Sequence, residues 1–293
     1  MAVKVNSYDV VTNQIIKSLE AIASGDSKTP SWVKPWASIG AVRNAFTNRP
    51  YNGVNAFILP LVMGANGWDD PRFATYKQIA NAGGQVKKGS KGVSVVLWKF
   101  LEDKKNPGKV IPLLRTFTVF NVKAQSEGVE LKTNEAPNKD ERNEKLEAIF
   151  SATGAELRHG GDRACFNYVN DVINMPVFEA FQTSDDYYAT LAHETIHWTG
   201  HEDRLNRAIK NPFGSETYAF EELVAELGSA FFCQDHGVDG KFQDNHLAYI
   251  AGWIKGLKEN NKAIFRAASL AKSAVKMVNG ETTKETEEET ATV

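Results

Sequence analysis

The chain has 293 residues, 42% hydrophobic and 24% charged, a balance that excludes wholesale disorder and allows two compact cores. Its net charge of −2 conceals an asymmetry: 17 Lys and Arg against 7 Asp and Glu in residues 1–124, a net of +10, then 17 against 29, a net of −12. The start lacks an apolar leader core, no run reaches the length of a membrane span, and Cys165 and Cys233 are too few for a disulfide framework, so a cytoplasmic address with no membrane partner is expected.

Tyr8 to Ala23 has the apolar spacing of an amphipathic helix, stopped by Ser24-Gly25-Asp26. A loop then interleaves rings, prolines and cations: Trp32, Lys34 and Trp36, followed by Arg43, Phe46, Arg49, Tyr51 and Asn52. Bases stack on aromatic faces while cations track phosphates, so this stretch predicts a site for single-stranded nucleic acid, whereas duplex reading has no motif behind it. Short helices are expected over Asn55 to Met63 and Thr75 to Ala82. The basic turn Gly83 to Gly92, with Lys87, Lys88 and Lys91, leads into a strand from Val93 to Leu101, and Lys109 to Val122 reads as its antiparallel partner. A basic half calls for a polyanion, with DNA favoured over anionic lipid because no amphipathic membrane helix is present.

Gly, Pro, Asn and mixed charge replace apolar periodicity between Gln125 and Asn143, which predicts a flexible linker between halves with separate roles. The expected division is a binding domain at 1–128, a linker at 129–143, a second domain at 144–279 and a disordered acidic tail at 280–293. Within the second domain a helix is predicted from Glu144 to Thr153, then strands at Ala155 to Arg158 and Cys165 to Met175. A helix capped in the Thr183 to Asp186 run ends at Gly200. Another spans Ser215 to Cys233, and a last one Tyr249 to Val278.

The helix before Gly200 carries His193-Glu194-Thr195-Ile196-His197. Residues four apart lie about 40° apart around a helix, so His193 and His197 stack on one face and can share one divalent ion, zinc first and manganese second. Glu194, roughly 100° away by the same geometry, suits a general base that holds a water polarised by the ion, which points to hydrolysis. A third ligand is still needed. His201 and Asp203 are candidates if the chain turns sharply at Gly200. Glu222 on the next helix is the preferred one, with Glu226 one turn on, placed to orient a ligand imidazole through its other nitrogen.

Taken together, the Trp32/Trp36 loop, Arg43-Asn44, the Arg49 to Asn55 block, the Lys87 to Gly92 turn, Phe120-Asn121-Val122, Ala192 to His201 and Glu221 to Glu226 resemble the antirestriction protein ArdC family of conjugative plasmids. The resemblance implies an α+β fold: an N-terminal mixed α+β domain that binds single-stranded DNA, and a C-terminal zincin-like metallopeptidase domain. It also implies a role in sheltering incoming DNA from host restriction. Carried over from it are His193, His197 and Glu222 as metal residues and Glu194 as the base, with Glu221 and Glu226 competing for the third metal position. Two functions follow as expectations: a DNA-coating antirestriction protein, or a DNA-tethered protease acting on an unidentified protein.

Overall fold

A computed structural model describes residues 6–24, 42–102, 110–131, 141–181, 183–207, 216–238 and 247–281. Trp32, Lys34 and Trp36, most of the expected linker and the tail beyond residue 281 lie outside the described residues.

The basic half opens with α1 (Ser7–Ala23), a short strand β1 (Arg43–Asn44) and α2 (Val54–Asn66). Gly53 caps α2 at φ +58° and ψ −140°, a conformation without steric cost only for glycine. The helix is apolar on nearly every side, and Val54 through Leu61 are buried except Asn55. After β2 (Arg72–Thr75), α3 (Tyr76–Asn81) starts at a reciprocal cap. Thr75 Oγ1 accepts from the Gln78 N–H, and Gln78 Oε1 accepts from the Thr75 N–H.

The glycine-rich turn contains β3 (Gln85–Val86), followed by the long pair β4 (Val93–Glu102) and β5 (Val110–Asn121), antiparallel from Val93 opposite Val119 to Glu102 opposite Val110. The sheet order is β1-β2-β5-β4. The outer edge of β4 is capped by side chains at Ser94 and Val96. Asn55 donates to Val96 O at 2.7 Å and accepts from Val96 N at 2.8 Å, while Gln14 accepts from Ser94 N at 3.0 Å. One turn of helix, α4 (Val122–Gln125), and β6 (Ser126–Glu127) follow; β6 pairs with β3, which overrides the linker-like composition at these residues.

The acidic half begins with α5 (Glu144–Ala152), capped by Asn143, and a three-stranded sheet of β7 (Glu156–His159), β8 (Cys165–Asn167) and β9 (Val172–Met175) in the order β7-β9-β8. The strand predicted over Cys165 to Met175 is instead a hairpin. Asp171 adopts φ +52°, and Asn167 Oδ1 accepts from Asn170 N, so turn chemistry divides the run.

Then come α6 (Ser184–Thr199), α7 (Glu216–His236), α8 (Leu247–Glu259) and α9 (Ala263–Val278). The single helix expected from Tyr249 to Val278 is broken at residues 260–262. There Asn261 turns toward α1, its carbonyl accepting from Thr12 Oγ1 and its amide donating to Asp9. Such local partners compete with helical hydrogen bonds.

The halves are packed together. One continuous apolar core runs from Ile15 and Leu19 of α1 and Phe57 and Leu61 of α2 to Phe232 of α7, Trp253 of α8 and Ala271 of α9. Gln234 of α7 donates within it to Ala56 O of α2 at 2.9 Å. The separation into independently tethered halves expected from the linker is therefore not what the packing shows. No helix among the described residues is long and apolar enough to cross a membrane.

Candidate metal centre

α6 is set by its ends. Thr183 accepts from Asp186 N, the acidic pair Asp185 and Asp186 lies in the first turn, and the helix closes at Gly200. Its partner α7 approaches closely at Gly228, where a Cβ would stand 2.9–3.0 Å from three side-chain atoms of Ile196. This close approach brings a carboxylate of α7 to the two histidines of α6.

His193 Nε2 and His197 Nε2 are 3.2 Å apart. Glu222 Oε2 is 3.6 Å from the first and Oε1 3.5 Å from the second, and one ligand atom from each of the three residues falls within 4.8 Å of the others. Two nitrogens bound to one tetrahedral ion at ~2.0–2.1 Å lie about 3.3 Å apart, so the imidazole spacing is that of a shared ion. The donor set, two imidazoles and a carboxylate with no thiol, fits zinc or manganese.

Burial pushes the His197 imidazole toward neutrality, but the carboxylates of Glu222 and Glu221 outweigh it and hold its pKa well above the usual histidine value. Burial likewise pushes Glu222 up, and His197 and His193 override it to hold the carboxyl far below the usual range. Glu222 is therefore an anion and a competent ligand.

Around these three, Glu226 Oε1 lies 3.6 Å from His193 Nδ1, the side where the sequence placed an orienting carboxylate. Glu221, a rival for the metal position, instead faces the far nitrogen of His197, with Oε1 3.4 Å from Nδ1. Glu194 Oε2 accepts from the Phe166 N–H of β8 at 2.8 Å, which fixes the carboxylate against the sheet. The other third-ligand candidates are not brought in. The His201 ring packs 4.5 Å from that of Tyr168, and the Asp203 side chain is 81% exposed.

In the basic half, Arg49, Asn52, Lys87, Lys88 and Lys91 are exposed and Arg43 is half-buried. Lys87 Nζ donates to Ala124 O. Tyr51, expected as a stacking ring, is a core residue at 9% exposure, and burial pushes its phenol up. The open rings near the cations are others: Tyr76 at 61%, Phe46 at 40% and Phe117 at 40% exposure. Two of them share one end of the sheet. Asn44 Oδ1 accepts from Phe46 N and Thr47 N while its amide donates to Gln78 Oε1 in the first turn of α3, beside Tyr76 and Lys77. Tyr76 reads as an ordinary helix start and Phe117 as an ordinary strand residue, so only exposure singles them out.

Residues 5–145 match the profile of the N-terminal domain of anti-restriction factor ArdC, and residues 144–270 match that of a zincin-like metallopeptidase. The chain is 38% identical to a DNA primase TraC of Escherichia coli over 98% of its own length but only 28% of that protein, and a second TraC is matched over 19% of its length. It thus spans less than a third of the length of either of these relatives. A protein of Sinorhizobium fredii (strain NBRC 101917 / NGR234), y4eC, is 35% identical over 90% of this chain and 88% of its own. Two crystal structures of the antirestriction ArdC protein from plasmid R388 superpose along the chain. The metal-free form has a TM-score of 0.70 at 37% identity, covering 92% of this chain and 96% of that one, and the Mn(II)-bound form has 0.71 at 36%, covering 94% and 98%.

Proposed function

The chain belongs to the ArdC antirestriction family, and from that premise we propose that it binds single-stranded DNA and shelters it from restriction, while its acidic half carries a hydrolytic metal centre. The observation that carries the reading is the division of chemistry. Exposed cations stand beside exposed rings at Phe46, Arg49, Tyr76 and Lys77, whereas two imidazoles and a carboxylate converge between α6 and α7. Stacking and phosphate neutralisation need no sequence code, which suits protection of DNA of any sequence.

His193, His197 and Glu222 would hold one divalent ion, zinc or manganese, and when bound the ion supplies Lewis-acid polarisation and acidifies water. Glu194 supplies the base. Its Oε2 is held by the Phe166 N–H, which leaves Oε1 to take a proton and pass it to a leaving amine. A second reading, in which cleavage of a DNA-bound or host protein is the main role, draws on this complete set of ligands and base.

Conjugation of a plasmid into a restricting recipient separates the two. The F46A/Y76A double variant should lose protection and bind a fluorescent single strand at least tenfold more weakly, while Glu194→Gln keeps both. A Glu194→Gln protein that retains metal and binds DNA normally, yet protects nothing, would make proteolysis the mechanism.

A further inference from the structure

Arg207 lies outside every helix and strand, and its side chain is 4% exposed. A buried guanidinium is tolerated only when its donors are paired. Nε and Nη2 grip Glu221 at 3.0 and 2.7 Å, Nη1 donates to Thr199 Oγ1 at 2.9 Å, and Nη2 also donates to Ile196 O at 2.6 Å. A cation here also faces the negative end of α6.

The glycine at 200 completes the seat. Its φ of −81° is open to any residue, so the helix end does not require glycine. A Cβ there, however, would stand 2.9 Å from Arg207 Nη2 and 3.0 Å from Cζ. The Arg207 N–H donates in turn to Gly200 O at 3.0 Å.

We propose that Arg207 is a positioning residue of the metal centre, acting through Glu221 to fix the tautomer and ring orientation of His197, with Gly200 kept small to admit the guanidinium. The proposal rests on the metal reading of His193, His197 and Glu222. An ionised carboxylate only accepts hydrogen bonds, so Glu221 opposite Nδ1 selects the imidazole with its proton on Nδ1 and the lone pair on Nε2. Nε2 is the atom that converges with His193 and Glu222. Without the bidentate grip Glu221 is a long, rotatable side chain; with it, the carboxylate is fixed to the end of the helix that bears His197.

The test uses the full chain carrying Arg207→Lys, Arg207→Met, Glu221→Gln or Gly200→Ala, with three readouts. Long-range ¹H–¹⁵N NMR of the metal-free protein, recorded above the raised pKa of His197 where the ring is neutral, reports its tautomer; chelator competition gives Zn(II) affinity, and the visible spectrum of the Co(II) form reports ligand geometry. The unmodified chain should show the Nδ1–H form of His197. Arg207→Met and Glu221→Gln should give mixed tautomers, shifted Co(II) bands and ~10–100-fold weaker Zn(II) binding. Arg207→Lys should recover little, since an ammonium cannot reproduce the fork, and adding Gly200→Ala to Arg207→Met should cost no more than Arg207→Met alone.

Should Arg207→Met fail to fold, Glu221→Gln and Arg207→Lys decide. Folded variants of those two with the His197 tautomer unchanged and Zn(II) affinity within twofold of the unmodified chain would overturn the proposal. An unmodified chain that takes up neither Zn(II) nor Co(II) would sink the metal reading instead, and the metal-free tautomer would still decide the role of Arg207.

Discussion

Glu221 and Glu222 are adjacent in sequence and serve different histidine nitrogens, one facing the outer Nδ1 of His197 and the other the shared Nε2 cluster. The histidines and Glu194 are legible because i, i+4 spacing fixes their geometry inside one helix. The i, i+4 pair Glu222 and Glu226 is legible in the same way, whereas the place of Glu221 behind His197 is not, because it depends on how α7 is rotated against α6. Arg207 carries no periodic signal at all. Elemental analysis should find one divalent ion per unmodified chain, less than a tenth of that in His193→Ala or Glu222→Ala, and full occupancy in Asp203→Ala; metal retained without Glu222 would move the third ligand elsewhere. A second residue-scale prediction concerns acid. Arg204 grips Asp171 through two guanidinium nitrogens and holds its carboxyl below the usual range against the opposing effect of burial. A depressed folded pKa means that the stabilisation is present above the ordinary aspartate value, near 3.9, and fades as pH falls through the folded value. Asp171→Asn should therefore lower the melting temperature at pH 7, and its gap to the unmodified chain should narrow as pH falls from about 4 toward 2; a gap independent of pH would show that the pair contributes through packing alone.

Two helices, α6 at the metal centre and α3 in the basic half, announce themselves by their caps. Thr183 ahead of the acidic turn and Thr75 with Gln78 three residues later are local signals that tertiary packing had only to respect. Elements fixed by distant partners are the ones the sequence conceals. The two-residue strands at Gln85–Val86 and Ser126–Glu127 exist because each pairs with the other. The break at 260–262 contains neither glycine nor proline and arises where Asn261 meets α1. The α6–α7 approach is similarly hidden, since Gly228 reads as a weak helix residue until Ile196 is seen against it. Gly228→Val should force the helices apart, cost about 1–3 kcal/mol of stability by overpacking and reduce metal affinity along with it. Denaturant unfolding of G228V with and without Ile196→Ala checks the cause: the second change should recover part of the loss, and simple additivity would place the damage elsewhere.

At the scale of the whole molecule, the shared core makes the basic surface proposed for DNA and the candidate metal centre parts of one folding unit. A fragment ending near residue 143 would expose the faces of α1 and α2 that pack against α7, α8 and α9. The full chain should unfold in a single calorimetric transition, while that fragment should aggregate or melt well below it; two resolved transitions in the full chain would restore independent halves. Binding of single strands by the full chain should weaken with a steep linear dependence on log salt, the mark of phosphate neutralisation by its exposed lysines and arginines. The hydrogen bonds of Asn55 to both backbone groups of Val96 bear on what would happen if, on the proposed reading, many copies crowded one strand of DNA. An open sheet edge is a template that a neighbour can extend, and coating a polymer raises local concentration to the point where extension runs away into fibres. Asn55 offers a donor and an acceptor as a fifth strand would, so at Val96 the place of a neighbour is taken before one arrives, and zippering between copies is blocked at that point of the edge.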